Sequence, residues 1–135
     1  MVDRAIAVLE KAQHPNMVAR LLSHYSNGAI TTGTLKFEWV VPYYARIIDV
    51  VCDAETAGTG SGKNLIDVNI NGTTIFTTQA NRPTLQTTDV GLFTKAGLFE
   101  VSHLSPGDIV SYDVDEVPGG AGATRFKICI VLGPR

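Results

Sequence analysis

A chain of 135 residues, 44% hydrophobic and 18% charged, is sized for one folded domain with its own core, and that composition reads as globular rather than disordered. A formal net charge of −2 without a long Lys/Arg run argues against nucleic acid as a partner, because such binding needs a concentrated basic footprint. The apolar stretches, such as Ile47–Cys52 with Asp49 inside it, are too short to span a bilayer, and Val2–Leu9 carries Asp3 and Arg4 where a secretory leader would be apolar; neither a membrane partner nor export by a signal peptide is expected.

Residues 1–28 read as a short helical N-terminal arm, two short helices or one kinked helix followed by a turn. Asp3 caps a first helix through Ile6 and Leu9, Pro15 starts a second, and Met17, Val18, Leu21, Leu22 and Tyr25 recur at helical spacing to make one apolar face. Asn27-Gly28 is the stop signal. From residue 29 to 135 the period becomes two, and the expected fold class is all-β: a jelly-roll-like β-sandwich of about eight strands. In Leu35–Val41, Leu35, Phe37, Trp39 and Val41 share the inward face, while Lys36 and Glu38 face out. Pro42 interrupts, and Tyr43–Asp53 resumes the β-rich run. Residues 57–63, AGTGSGK, read as a flexible loop.

Asn71-Gly72 between Leu65–Ile70 and Thr73–Thr78 predicts a two-residue type I′ hairpin, pairing Ile70 with Thr73, Val68 with Ile75 and Ile66 with Thr77. Further strand pieces are expected near Thr84–Thr88 and Gly97–Val101. Ser105-Pro106-Gly107-Asp108 has the residues of a type II turn and leads into Ile109–Val117. Arg125–Leu132 closes the chain with Phe126, Ile128, Ile130 and Leu132 on one face. Turn-punctuated strands in this number point to a sandwich or jelly roll.

No motif supplies catalysis, a metal or a cofactor. The glycine-rich loop fails as a phosphate cradle: Ala57 takes the first glycine position, Asn64 replaces the hydroxyl residue, and a strand follows where a helix is needed. Thr59 likewise spoils a nucleophile elbow around Ser61. His14, His24 and His103 lack helical metal spacing, and Asp113, Asp115 and Glu116 read as a hydrated outer strand face rather than a calcium site. Cys52 and Cys129 belong to no C-x-x-C pair and are read as buried free thiols, with a disulfide left open if their strands are neighbours. Trp39 shares an apolar face and reads as core. Tyr43 and Tyr44, at a corner after Pro42, are candidates for a contact surface or a stacked sugar. Asn71-Gly72-Thr73 has the form of a glycosylation acceptor but reads as the hairpin turn.

The segment Leu65–Leu85, LIDVNINGTTIFTTQANRPTL, resembles a recurrent stretch in virion proteins of tailed bacteriophages, small jelly-roll domains of head decoration proteins, head fibres and tail or baseplate appendages. SPGDIVSYDVDEV (Ser105–Val117), the closing strand Arg125–Leu132 and the proline corner Phe37–Pro42 fit the same layout, so the likeness spans about residues 30–132. It implies a non-enzymatic structural protein: a capsid decoration (cement) protein that holds a phage head together by protein–protein contacts. The expected partner is the major capsid protein or another virion protein, the expected assembly a trimer, and the expected location the virion, assembled in the host cytoplasm. Met17, Val18, Leu21, Leu22, Tyr25, Tyr43 and Tyr44 are the expected interface residues. The alternative is a receptor- or carbohydrate-binding module of a fibre, tail or baseplate; a small hydrolase would need a catalytic cluster that the residues do not display.

Overall fold

The computed structural model describes residues 20–89 and 93–135. Its strands are β1 (Arg20–Ser26), β2 (Gly33–Val41), β3 (Ala45–Asp53), β4 (Lys63–Ile70), β5 (Thr73–Thr74), β6 (Thr84–Gln86), β7 (Phe93–Lys95), β8 (His103–Leu104), β9 (Asp108–Glu116) and β10 (Phe126–Gly133), with one short 3₁₀ turn at Gln79–Asn81. They form two antiparallel sheets. The first runs β1-β10-β3, with β7 and β8 sharing the far edge of β3; the second runs β2-β9-β4, with β5 and β6 sharing the far edge of β4. The chain alternates between the sheets so that each gains its first strand from the N-terminal half and its second from the C-terminal end. That order is the double Greek key of a jelly roll, and the expected β-sandwich is the observed one.

Period-two alternation builds the core. Ile47, Val50 and Cys52 of β3 and Phe126, Ile128, Ile130 and Leu132 of β10 face Ile66, Val68 and Ile70 of β4 and Val110, Tyr112 and Val114 of β9, all buried. Asn71 and Gly72 take the two positive φ angles, 51° and 83°, that a type I′ turn demands. Ile70 pairs with Thr73 as expected; β5 ends at Asn69–Thr74, and beyond it the Ile75 amide still donates to the Val68 carbonyl at 2.9 Å, whereas Thr77 does not continue the ladder opposite Ile66. Ile75 and Phe76 then turn inward to complete burial, and β6 replaces the outgoing strand, pairing Leu65 with Thr84. The Ser105–Asp108 turn also forms, with Gly107 at φ 93° and the Asp108 amide donating to the Ser105 carbonyl at 3.0 Å.

Several expectations are corrected. Arg20–Ser26 is a strand and not the second half of a helix. It pairs with β10 over seven consecutive residues, from Arg20–Leu132 to Ser26–Phe126, and Leu22 and His24 turn toward the interior while Leu21 and Tyr25 face out. A run with apolar residues at both i+1 and i+4 satisfies either period; here the long-range ladder to β10 decides it. The rest of the arm, with Met17 and Val18, lies outside the described residues. Strand pairing near Gly97–Val101 is replaced by β7 and β8 on either side of it. Leu35 leaves the inward face because a bulge spans Thr34–Lys36 opposite Asp113, with Leu35 at φ 49°.

The glycine-rich loop is pinned. Thr59 exchanges backbone bonds with Gly120 and Ala121, Thr56 receives the Thr124 amide, and a Cβ on Gly58 would overlap the Ala121 carbonyl oxygen. Beneath it Asn64, fully buried, donates to the Ala57 and Leu85 carbonyls at 2.8 and 3.0 Å and accepts the Ala123 amide at 2.9 Å. One side chain thus closes this end of the sandwich.

Candidate interaction surface

Among the described residues, β1 and β2 are the outermost strands of their sheets and lie on the same side of the sandwich, where the two layers meet at an open mouth. His24 of β1 stacks on Phe37 of β2 with ring centroids 4.4 Å apart, and Phe37 meets Trp39 edge-on at 5.2 Å. The His24 Nδ1 sits 2.7 Å from the hydroxyl of Tyr112, which lies behind them in the core. Burial pushes the Tyr112 phenol above its ordinary range, which keeps the hydroxyl protonated and able to donate to His24. The inter-sheet mouth is therefore lined by rings and closed by one polar bond.

The sequence-predicted contact residues gather near this side, though not as one helical face. Leu21 and Tyr25 project outward from β1 and are 59% and 52% exposed, whereas Leu22 is half-buried and packs on the core. Tyr43 is half-buried with the Arg20 guanidinium over its ring, and Tyr44 is 58% exposed with Arg135 over its ring. Leu35, Phe37 and Val40 of β2 are also exposed; the strand pattern places Phe37 inside, because nothing local in the sequence shows that β2 is an edge.

The outer face of the second sheet is polar and tightly bonded. Asp113 accepts the Leu35 amide and the Asn69 side chain, Asp115 pairs with Arg82 at 2.6 Å, and Thr74 donates to Asp67 at 2.6 Å. Burial raises the Asp67 carboxyl despite those donors, with Asp115 adding repulsion. These carboxylates brace strands, and among the described residues no group of three or more His, Cys, Asp and Glu is placed to hold a metal ion. His103 lies exposed on β8, opposite Arg46.

Cys52 and Cys129 stand on neighbouring strands, but in register Cys52 pairs with Ile128 and Cys129 with Val51, so the thiols point to opposite faces and do not join. The expectation that both are buried holds for Cys52; Cys129 is only half-buried on the outer face. Among the described residues, open grooves include one of about 540 Å³ beside Gly60–Lys63, Gln86–Thr88 and Glu116, and one of about 400 Å³ beside Ile48, the Asp49–Lys95 ion pair and Leu98.

Comparison of the chain with known protein families, curated proteins and solved structures finds no match. Leu21 and Tyr25 of β1 and Leu35, Phe37 and Val40 of β2 are exposed apolar side chains on edge strands of the two sheets. No helix among the described residues is long and apolar enough to cross a membrane.

Proposed function

We propose that this chain is a non-enzymatic structural protein of a tailed-phage particle, a capsid decoration protein that stabilises the head through protein–protein contacts. The observation that carries the reading is the β1–β2 side of the sandwich, where Leu21 and Tyr25 of β1 and Leu35, Phe37 and Val40 of β2 are exposed. Exposed apolar side chains on adjoining edge strands mark an association surface. The likeness of Leu65–Leu85 and Ser105–Val117 to virion jelly rolls supplies the particle. The partners are the major capsid protein or a neighbouring virion protein, and further copies of the chain.

The test is binding of the full chain to phage heads prepared without it, read by co-sedimentation, and the temperature at which those heads rupture. Binding that raises the rupture temperature supports the reading; binding to host-surface glycan and not to heads overturns it in favour of a recognition module. That second reading draws on Tyr44, an exposed ring at a strand corner. Loss of glycan binding on Tyr44→Ala would establish it.

A further inference from the structure

We infer that β1 is a docking edge for a second copy of this chain, which pairs with it antiparallel about a twofold axis through Ser23. This pairing goes beyond the particle reading and stands without it. The sandwich treats its edges unequally. An open strand edge carries unpaired N–H and C=O groups, and folded proteins guard such edges with short strands, bulges or charges. The far edges consist of fragments, β5 and β8 of 2 residues and β6 and β7 of 3. β2 is bulged at Thr34–Lys36 and carries Lys36 and Glu38. Among the described residues, β1 has none of these devices. It is 7 residues long, in unbroken register with β10, and its one arginine sits at its end, over Tyr43.

Its sequence, Arg-Leu-Leu-Ser-His-Tyr-Ser, also complements itself. Antiparallel pairing of two copies centred on Ser23 sets Leu21 against the other copy's Tyr25 on the outer face, twice by symmetry, and Leu22 against His24 on the inner face. Aromatic–aliphatic cross-strand pairs are among the favourable ones. Arg20 falls opposite Ser26, so no like charges meet.

The available area suits a stable pair. β2 lies across the mouth from β1, with Phe37 against His24, so joining two β1 edges brings the β2 edges of both copies, with their exposed Leu35 and Phe37, toward one another. Large apolar side chains present on the order of 150–250 Å² each when fully free. At the exposures seen here, Leu21, Tyr25, Leu35, Phe37 and the strand backbones give about 1,000 Å² over the pair, the least a specific interface needs. His24, stacked on Phe37 and bonded to Tyr112, already fixes β1 in place, so little ordering is lost on association. The virion likeness points to three copies; this edge points to two.

The experiment measures mass and crosslinking on the full chain at micromolar concentration. Light scattering should give twice the 14.5 kDa chain mass, and the double variant Leu21→Lys, Tyr25→Lys should return one copy with an unchanged β spectrum. Ser23 also lies opposite Cys129 on the same face, so the crosslinking chain carries Cys129→Ser with Ser23→Cys. Under mild oxidation it should form a covalent dimer at least tenfold faster than a chain with Cys129→Ser and Thr73→Cys, whose thiol sits at the distant hairpin. A wild-type mass of one or three copies, or equal crosslinking rates, overturns the inference.

Discussion

Asn64 gives the sharpest test of how this fold is held together. Its amide group bonds three backbone groups, the Ala57 and Leu85 carbonyls and the Ala123 amide, and its side chain is fully buried. Asn64→Ala removes all three bonds in a site closed to solvent; Leu85 keeps its place opposite residue 64 in the β4–β6 ladder, whereas the Ala57 carbonyl and the Ala123 amide lose this partner. Each orphaned polar group costs about 1–3 kcal/mol, and shared relaxation keeps the sum below full additivity, so the variant should lose about 2–4 kcal/mol. For a chain of this size that lowers Tm by about 10 °C. Urea unfolding read by the single tryptophan, Trp39, which is packed in the aromatic mouth far from the substitution, measures the loss. A loss under about 1 kcal/mol would refute the claim that this side chain closes the end of the sandwich.

Asn64→Asp adds a sign. A carboxylate there would still accept from Ala123 but would face two carbonyl oxygens, and burial would raise its pKa above the unfolded value. A raised carboxyl contributes stability that is fully present below the unfolded pKa and disappears as pH rises through the folded one. The Asn64→Asp chain should therefore approach wild type near pH 3 and fall to the stability of Asn64→Ala or below at pH 7. Parallel pH profiles for Asn64→Asp and wild type would contradict the burial.

Four further outcomes are expected. Tyr112→Phe should cost about 1 kcal/mol, and a double-mutant cycle with His24→Ala should return a coupling of about 0.5–1.5 kcal/mol in urea unfolding, because each removes the same 2.7 Å bond. Gly58→Ala should destabilise by more than about 2 kcal/mol, since its Cβ collides with the Ala121 carbonyl as well as straining φ 96°, while Gly72→Ala, with φ 83° in open space, should cost about 1 kcal/mol; thermal melts rank the two. Asp67→Asn should stabilise at pH 7 and have no such effect at pH 3, because the raised wild-type carboxyl contributes stability at low pH that is lost as pH rises through its folded pKa; paired urea curves at the two pH values read it. Thiol titration of the folded protein should modify Cys129 and spare Cys52, whose ionisation burial suppresses, and mild oxidation should leave no internal disulfide by intact mass.

What could be read in the residues was local chemistry. Asn71-Gly72 announces its turn because few other pairs accept two positive φ angles, and Ser105–Asp108 does so because proline and glycine fill its demanding positions. The alternation in Arg125–Leu132 shows which residues of β10 are core, since burying one face leaves one register. What escaped was set by distant partners. Leu21, Leu22 and Tyr25 fit a helical face until β10 offers seven ladder positions. The Thr34–Lys36 bulge exists because Asp113 draws the Leu35 amide at 2.8 Å, a bond spanning 78 positions. Asn64, at the start of β4, is a residue whose type offered a clue: a buried Asn must find partners, and the Ala57 and Ala123 backbones of two flanking loops, with Leu85 of β6, provide them.

The same contrast bears on function. The core of a jelly roll fixes shape and says nothing of role, whereas the edges record what the molecule must avoid or accept. Among the described residues, three of four edges carry the features that discourage pairing, and the fourth is straight, seven residues long and fastened from behind by a ring stack and a hydrogen bond. Maintaining an unguarded edge costs aggregation resistance, and holding it rigid lowers the entropic cost of binding. The pairing proposed above uses that edge, and the outward Leu21 and Tyr25 define what should meet it: an extended strand with apolar side chains at alternate positions.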